Sequence, residues 1–186
     1  MHALPLYNTE TIDKLAWPQH QAHLSLSSSA LTIFTDFKRQ MPLVVDRHMK
    51  AVELERLMKQ SHVKMKLVLD EQGQFIGIVS LADLSEQEIM KHIAKGIARE
   101  DLVVEDFMQP KAKLMCFDYH QLVRSTVGDI VQTLKDSGQH HCLVLDRKHH
   151  EIRGVISVSD VARTLRLPLD IQARPSFAEL SRLLAA

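Results

Sequence analysis

Apolar residues along this chain follow two periods. Val127, Ile130, Val131 and Leu134 recur at i, i+3, i+4 and i+7, the stripe of a helix packed on one face, and Ser137-Gly138 supplies its stop signal. Ala51, Leu54, Leu57 and Met58 form the same stripe earlier in the chain. Between the helical stretches lie short apolar runs at residues 64 to 69 and 141 to 145. Each passes through an Asp into turn residues, Glu71-Gln72-Gly73 in one case and Arg147-Lys148-His149 in the other. Such a run predicts a strand entering a hairpin, with return strands at residues 75 to 79 and 151 to 156. Each return strand is followed by Ser-x-x-Asp and a further apolar run, the first of which places Ile89, Ile93 and Ile97 four residues apart. Strand, helix, strand, strand, helix is a mixed α/β (α+β) unit, β-α-β-β-α, and two such units are expected to pack sheet to sheet.

The two units are copies of one phrase. Leu67-Val68-Leu69-Asp70 falls on Leu143-Val144-Leu145-Asp146 at an offset of 76. One extra turn residue raises the offset to 77, which lays Gly77, Ser80 and Asp83 on Gly154, Ser157 and Asp160. Upstream, Leu54, Leu57 and Met58 fall on Val131, Leu134 and Lys135, so the helical period persists where identity fades. Residues 99 to 112 connect the copies, mixing charge with Val103, Val104, Phe107 and Met108, and predict a short helix and then an extended lead into a strand near residues 114 to 117. The expected organisation is an amino-terminal arm at 1–29, a first module at 30–98, the connector and second module at 99–170, and an amphipathic helix at 171–186. In that last segment Ser176-Phe177-Ala178-Glu179 has capping-box spacing ahead of Leu180, Leu183 and Leu184. The arm shows no sustained period and is expected to gain order through contact with a partner chain.

Composition narrows the function classes. With 186 residues, 45% hydrophobic and 25% charged, the chain has a globular composition and enough length to bury roughly 70% of its unfolded surface. Lys plus Arg (23) balance Asp plus Glu (23), and aromatics make up 5%. Neither the basic field nor the stacking surface of a nucleic-acid binder is present. No window reaches the ~18 apolar residues of a membrane span, and no basic segment precedes an apolar core at the amino terminus, so a cytoplasmic protein is expected. Cys116 and Cys142 sit in apolar strand-like runs, where a small buried hydrophobe is expected. The histidine pairs His140-His141, His149-His150 and His20-x-x-His23 lack metal-ligand spacing, so no metal is expected. His140 and His141 are expected to titrate near pH 6.5, at about the unperturbed histidine value. Gly-x-Ser-x-Gly, Gly-x-x-x-x-Gly-Lys-Ser/Thr and His-Glu-x-x-His are all missing, and no enzyme activity is expected.

A single Gly followed by Ser-x-x-Asp is an ordinary strand-to-helix turn with an N-terminal cap. Two copies with matched spacing, Gly77-Ile78-Val79-Ser80-Leu81-Ala82-Asp83-Leu84 and Gly154-Val155-Ile156-Ser157-Val158-Ser159-Asp160-Val161, each behind a hairpin, are more specific. This doubled phrase resembles the cystathionine-β-synthase (CBS) domain, and the pair resembles the tandem arrangement called a Bateman module, of the stand-alone type met in bacteria. A Ser at a strand end and an Asp three residues on would sit at a helix amino terminus, where backbone N–H groups face a cleft suited to an anion and a sugar.

The resemblance implies that Asp83 and Asp160 accept hydrogen bonds from ribose hydroxyls while Ser80 and Ser157 approach phosphate. It places adenine against Pro42-Leu43 and Met65 in one cleft, and against Leu114-Met115 and Cys142 in the other. Lys64, Lys66, His140 and His141 are the basic residues left for phosphate, and Leu67 and Leu143 stand where many members carry Pro. The function implied is a regulatory module that senses an adenosine-containing ligand, AMP, ADP, ATP or S-adenosylmethionine, and signals to an unidentified effector protein. A homodimer is expected, with the Ile89-Ile93-Ile97 stripe as a candidate interface, and neither nucleic acid nor membrane as partner. The alternative is a non-catalytic dimerisation or scaffold domain with empty clefts.

Overall fold

The computed structural model describes residues 24–165 and 176–185. Strands β1 (Thr35–Asp36) and β2 (Val44–Asp46) precede helix α1 (Ala51–Gln60), the hairpin β3 (Met65–Leu69) and β4 (Phe75–Ser80), and α2 (Glu86–Ile93). The second half runs through β5 (Gln109–Pro110), β6 (Cys116–Asp118), the single-turn α3 (Tyr119–Leu122) and α4 (Val127–Leu134). It continues with the hairpin β7 (His141–Asp146) and β8 (Glu151–Ser157), then α5 (Val158–Thr164) and α6 (Phe177–Ala185). Both expected hairpins and both stripe helices form.

Two four-stranded sheets result among the described residues, in the orders β2-β3-β4-β5 and β1-β8-β7-β6. The halves correspond closely: β2 runs parallel to β3 and β6 parallel to β7, and each hairpin carries a register shift at the same repeat position, Val68/Leu69 and Val144/Leu145. The outer strands are exchanged. β1, from the first half, pairs antiparallel with β8, and β5 pairs antiparallel with β4. The repeated glycines explain how the crossing strands come so close. Gly77 faces Pro110 and Gly154 faces Asp36; a Cβ would stand 2.4 Å from the Gln109 carbonyl oxygen in the first case and 2.1 Å from that of Thr35 in the second.

Side-chain alternation sorts each strand between two layers. Leu67, Ile78, Leu143 and Val155 meet between the sheets. Val68 and Val79 face α1 and α2 in one outer core. Val144 and Ile156 face α4, α5 and α6 in the other. The connector is packed: Leu102, Val104 and Phe107 are buried in the first module's core, although the expected short helix is a single 3₁₀ turn over Val104–Asp106. In α6 the Ser176 hydroxyl accepts from the Glu179 N–H (3.2 Å), and Phe177 and Leu180 are buried against the second module. Residues 1–23 of the arm lie outside the described residues, but its end is tied down, since Gly128 and Val127 donate their N–H groups to the carbonyls of Leu26 and Ser28, each at 2.8 Å.

The Ile89-Ile93-Ile97 stripe is corrected as an interface. Ile89 is fully buried in the first module's core and Ile93 packs beside it. The helix ends at Ile93, and Gly96 follows at φ +92. Sealing the outer face of the sheet uses the apolar face of α2, and Ile97 falls beyond it. No helix among the described residues is long and apolar enough to cross a membrane.

Candidate functional site

Two clefts open where the end of one module's return strand meets the strand lead of the other. The larger, of about 470 Å³, joins Ser157, Ser159, Asp160 and Arg163 of the second module to Leu43, Lys64 and Met65 of the first. The smaller, of about 310 Å³, joins Ile78 and Ser80 of the first module to Leu114, Met115, His140 and His141 of the second. Both volumes fall in the range of small-molecule sites, roughly 300–1,000 Å³. Ser157 and Asp160 in the larger cleft, and Ser80 in the smaller, therefore face apolar residues from the opposite copy. Strand exchange adds Thr35 to the larger cleft and Gln109 to the smaller. His141 forms part of both walls.

Each Ser and Asp pair is locked to itself. Asp83 Oδ2 accepts from the Ser80 N–H (2.8 Å) and hydroxyl (2.7 Å), and the Ser80 hydroxyl accepts from the Asp83 N–H (3.3 Å). Asp160 Oδ2 accepts from the Ser157 hydroxyl at 2.6 Å, Oδ1 is paired with the Arg163 guanidinium, and the Ser157 hydroxyl caps α5 through the Asp160 N–H at 3.0 Å. In the first module the box closes a turn and α2 starts later, at Glu86; in the second the helix runs seven residues. The helix amino terminus expected at each box is thus found at Ser157 and is corrected at Ser80, where side chains carry the local charge. Asp83 stands behind Gln109, whose amide donates to its Oδ1 at 3.4 Å and lines the smaller cleft itself.

The remaining expected residues divide. Pro42 is half-buried between Met41 and Leu43, which line the larger cleft. Lys66 turns back to its own sheet, donating to the Val44 carbonyl at 3.4 Å. Cys142 is 3% exposed and packs in the second module's helical core. Strand alternation sends His141 and Leu143 to the other side, so Cys142 is corrected as an adenine contact. Burial pushes its thiol up to about 12 and raises that of Cys116. His141 is corrected as a group titrating near neutrality: burial, helped by the charge of His140 and opposed by Asp160 and Asp83, lowers it to about 4, so its imidazole is neutral at pH 7.

Gln109, Ser137, Gln139, Arg163 and Thr35 are cleft residues that sequence reasoning missed. Arg163 was the legible one. Three residues past Asp160, it falls on Glu86 in the repeat, a reversal of sign. Outside the clefts, Asp146, His149 and Glu151 bring ligand-type atoms within 4.8 Å of one another. They are engaged already, His149 Nδ1 with Asp146 at 2.8 Å and Lys38 with Glu151 at 2.6 Å, and the Arg153 cation lies 3.8 Å from Asp146.

No curated protein matches the chain in sequence. Among solved structures, an uncharacterized conserved protein from Pyrococcus horikoshii is 20% identical, with 79% of this chain and 98% of that one covered at a TM-score of 0.57. CBSX2 in complex with AMP is 22% identical, with 73% and 94% covered at 0.52, and CBSX2 from Arabidopsis thaliana also matches, at 21% identity with 74% and 93% covered and a TM-score of 0.50. The CBS-domain protein ATU1752 from Agrobacterium tumefaciens is 16% identical, with 79% and 98% covered at 0.54. At these identities the likeness speaks to the fold. The family model of the CBS domain matches residues 35–89 and 104–167, more than half of the chain and one region in each copy of the repeat, so the chain belongs to the CBS domain family and carries the domain as a tandem pair.

Proposed function

We propose that this chain is a non-catalytic regulatory module that binds an adenosine-containing ligand, AMP, ADP or ATP, in the clefts of its CBS pair. The observation that carries this reading is the pair of clefts itself, which join Ser157 and Asp160 of one module, and Ser80 of the other, to apolar residues of the opposite copy. The AMP held by CBSX2, a protein of the same fold, supports it. Ligand at a hundred times its dissociation constant stabilises the bound state by about 2.7 kcal/mol, enough to bias a contact with an effector protein or a second copy. A cytoplasmic homodimer is part of this reading. Thermal shift and calorimetry with AMP, ATP and S-adenosylmethionine test it, with Asp83→Ala plus Asp160→Ala as the variant and light scattering for the oligomer. A rise in Tm with at least one ligand, lost in the variant, is the expected result; no response to any of the three overturns it.

A second reading, a dimerisation scaffold with unused clefts, is favoured by one observation: the carboxylates of Asp83 and Asp160 already have hydrogen-bond partners inside the chain. It predicts a dimer indifferent to all three ligands.

A further inference from the structure

The two clefts occupy corresponding places in the repeat and differ in charge. The larger holds Lys64 and Arg163 beside Asp160. In the repeat Lys64 falls on His140, and Arg163 falls on Glu86, which is turned to Arg99 at 2.6 Å. Among the described residues, no Lys or Arg lines the smaller cleft. Its polar wall is made of Ser80, Gln109, Ser137 and Gln139 with the two imidazoles, and burial keeps that of His141 uncharged at pH 7.

Gln139 adds a second, independent observation. Its side chain belongs to this wall, and its Oε1 is buried without a hydrogen-bond partner. A buried carbonyl oxygen with no donor is costly, and a hydroxyl or amino group that meets it relieves that cost. A phosphate offers acceptors alone, so it brings this oxygen nothing and finds no Lys or Arg in the wall to offset its own desolvation.

We propose, on the strength of the nucleotide-binding reading above, that the clefts take different ligands: the larger a phosphorylated adenosine held by Lys64 and Arg163, the smaller a phosphate-free aminopurine nucleoside that supplies a donor to Gln139. The pair then reads a charged and an uncharged member of one metabolite class in a single body.

Calorimetry on the full chain with AMP and adenosine tests this, alone and in succession, for wild type, Lys64→Met and Gln139→Met. Adenosine is expected to bind the AMP-saturated protein. Lys64→Met weakens AMP about tenfold and leaves adenosine unchanged, and Gln139→Met does the reverse, each about the worth of one hydrogen bond to a buried or charged group. Wild type alone also discriminates, since raising salt weakens AMP and spares adenosine. Displacement of AMP by adenosine from a single class of site, or adenosine affinity unchanged in Gln139→Met, overturns the proposal while the nucleotide reading stands. Failure of AMP and adenosine alike to bind overturns the proposal, and the nucleotide reading falls with it when ATP and S-adenosylmethionine also give no response.

Discussion

Gly154→Ala tests the strand exchange directly. The added Cβ would stand 2.1 Å from the Thr35 carbonyl oxygen and 2.4 and 2.6 Å from two ring atoms of Phe34. Reaching an ordinary contact of 3.4 Å requires β1 to retreat by about 1.3 Å, the difference of the two distances. That movement strains the Phe37 N–H bond to the Arg153 carbonyl, 2.9 Å, and the two-pronged pair in which Arg153 Nε and Nη2 donate to Asp36 at 2.8 Å each. Overpacking costs about 1–3 kcal/mol, and each hydrogen bond lost adds about 1 kcal/mol. A total near 3 kcal/mol corresponds to a fall in Tm of roughly 6–12 °C for a chain of this size. Gly73→Ala is the control: nothing lies within 4 Å of its Cβ, but its φ is +73, so the backbone cost alone applies, about 1 kcal/mol. Gly77→Ala, at 2.4 Å from the Gln109 carbonyl and without aromatic atoms in the way, should fall between them. Urea denaturation followed by circular dichroism measures all three. If Gly154→Ala is no less stable than Gly73→Ala, the close approach of β1 to β8 is wrong.

Two further outcomes follow from the buried groups. The side-chain hydrogen bonds from Arg153, opposed by burial, lower Asp36 from 3.8 to about 2. Because the folded value is the depressed one, the pair's contribution is present in full above about pH 4 and is lost as pH falls toward 2, and at neutral pH it amounts to about 2 kcal/mol. Asp36→Asn should therefore lower the urea midpoint at pH 7 and lose most of that effect at pH 2; equal destabilisation at both pH values would contradict the ion pair. Cys142 should resist a thiol reagent at pH 8 in the native protein and react once urea unfolds it, because burial keeps it protonated. Rapid labelling of Cys142 in the native state would show that it faces solvent.

Some features were legible in the residues because they are local. The stripe from Val127 to Leu134 became α4 unchanged, and the runs ending at Asp70 and Asp146 became hairpins, since period and turn chemistry act over a few residues. The exchanged strands were not legible. β1 and β5 are two residues long, and their partners lie far along the chain, Thr35 opposite Val155 and Gln109 opposite Ile78. The stripe of α2 was visible as apolar, but whether it met a second copy or its own sheet depended on which face the packing left open. Cys142 and His141 are adjacent and equally strand-like in the sequence, yet they part to opposite sides of β7.

The sequence by itself determined that the chain is two copies of a β-α-β-β-α unit, and that a Ser-x-x-Asp box closes each return strand, because repeat offset, period and capping are written in neighbouring residues. The tertiary structure alone decided which module furnishes each wall of a cleft, that Lys64 and Arg163 share one cleft, and that a neutral His141 stands between both. The physical reason is that desolvation and charge depend on groups brought in from the other module, and those arrive only when strands cross and the two sheets pack face to face.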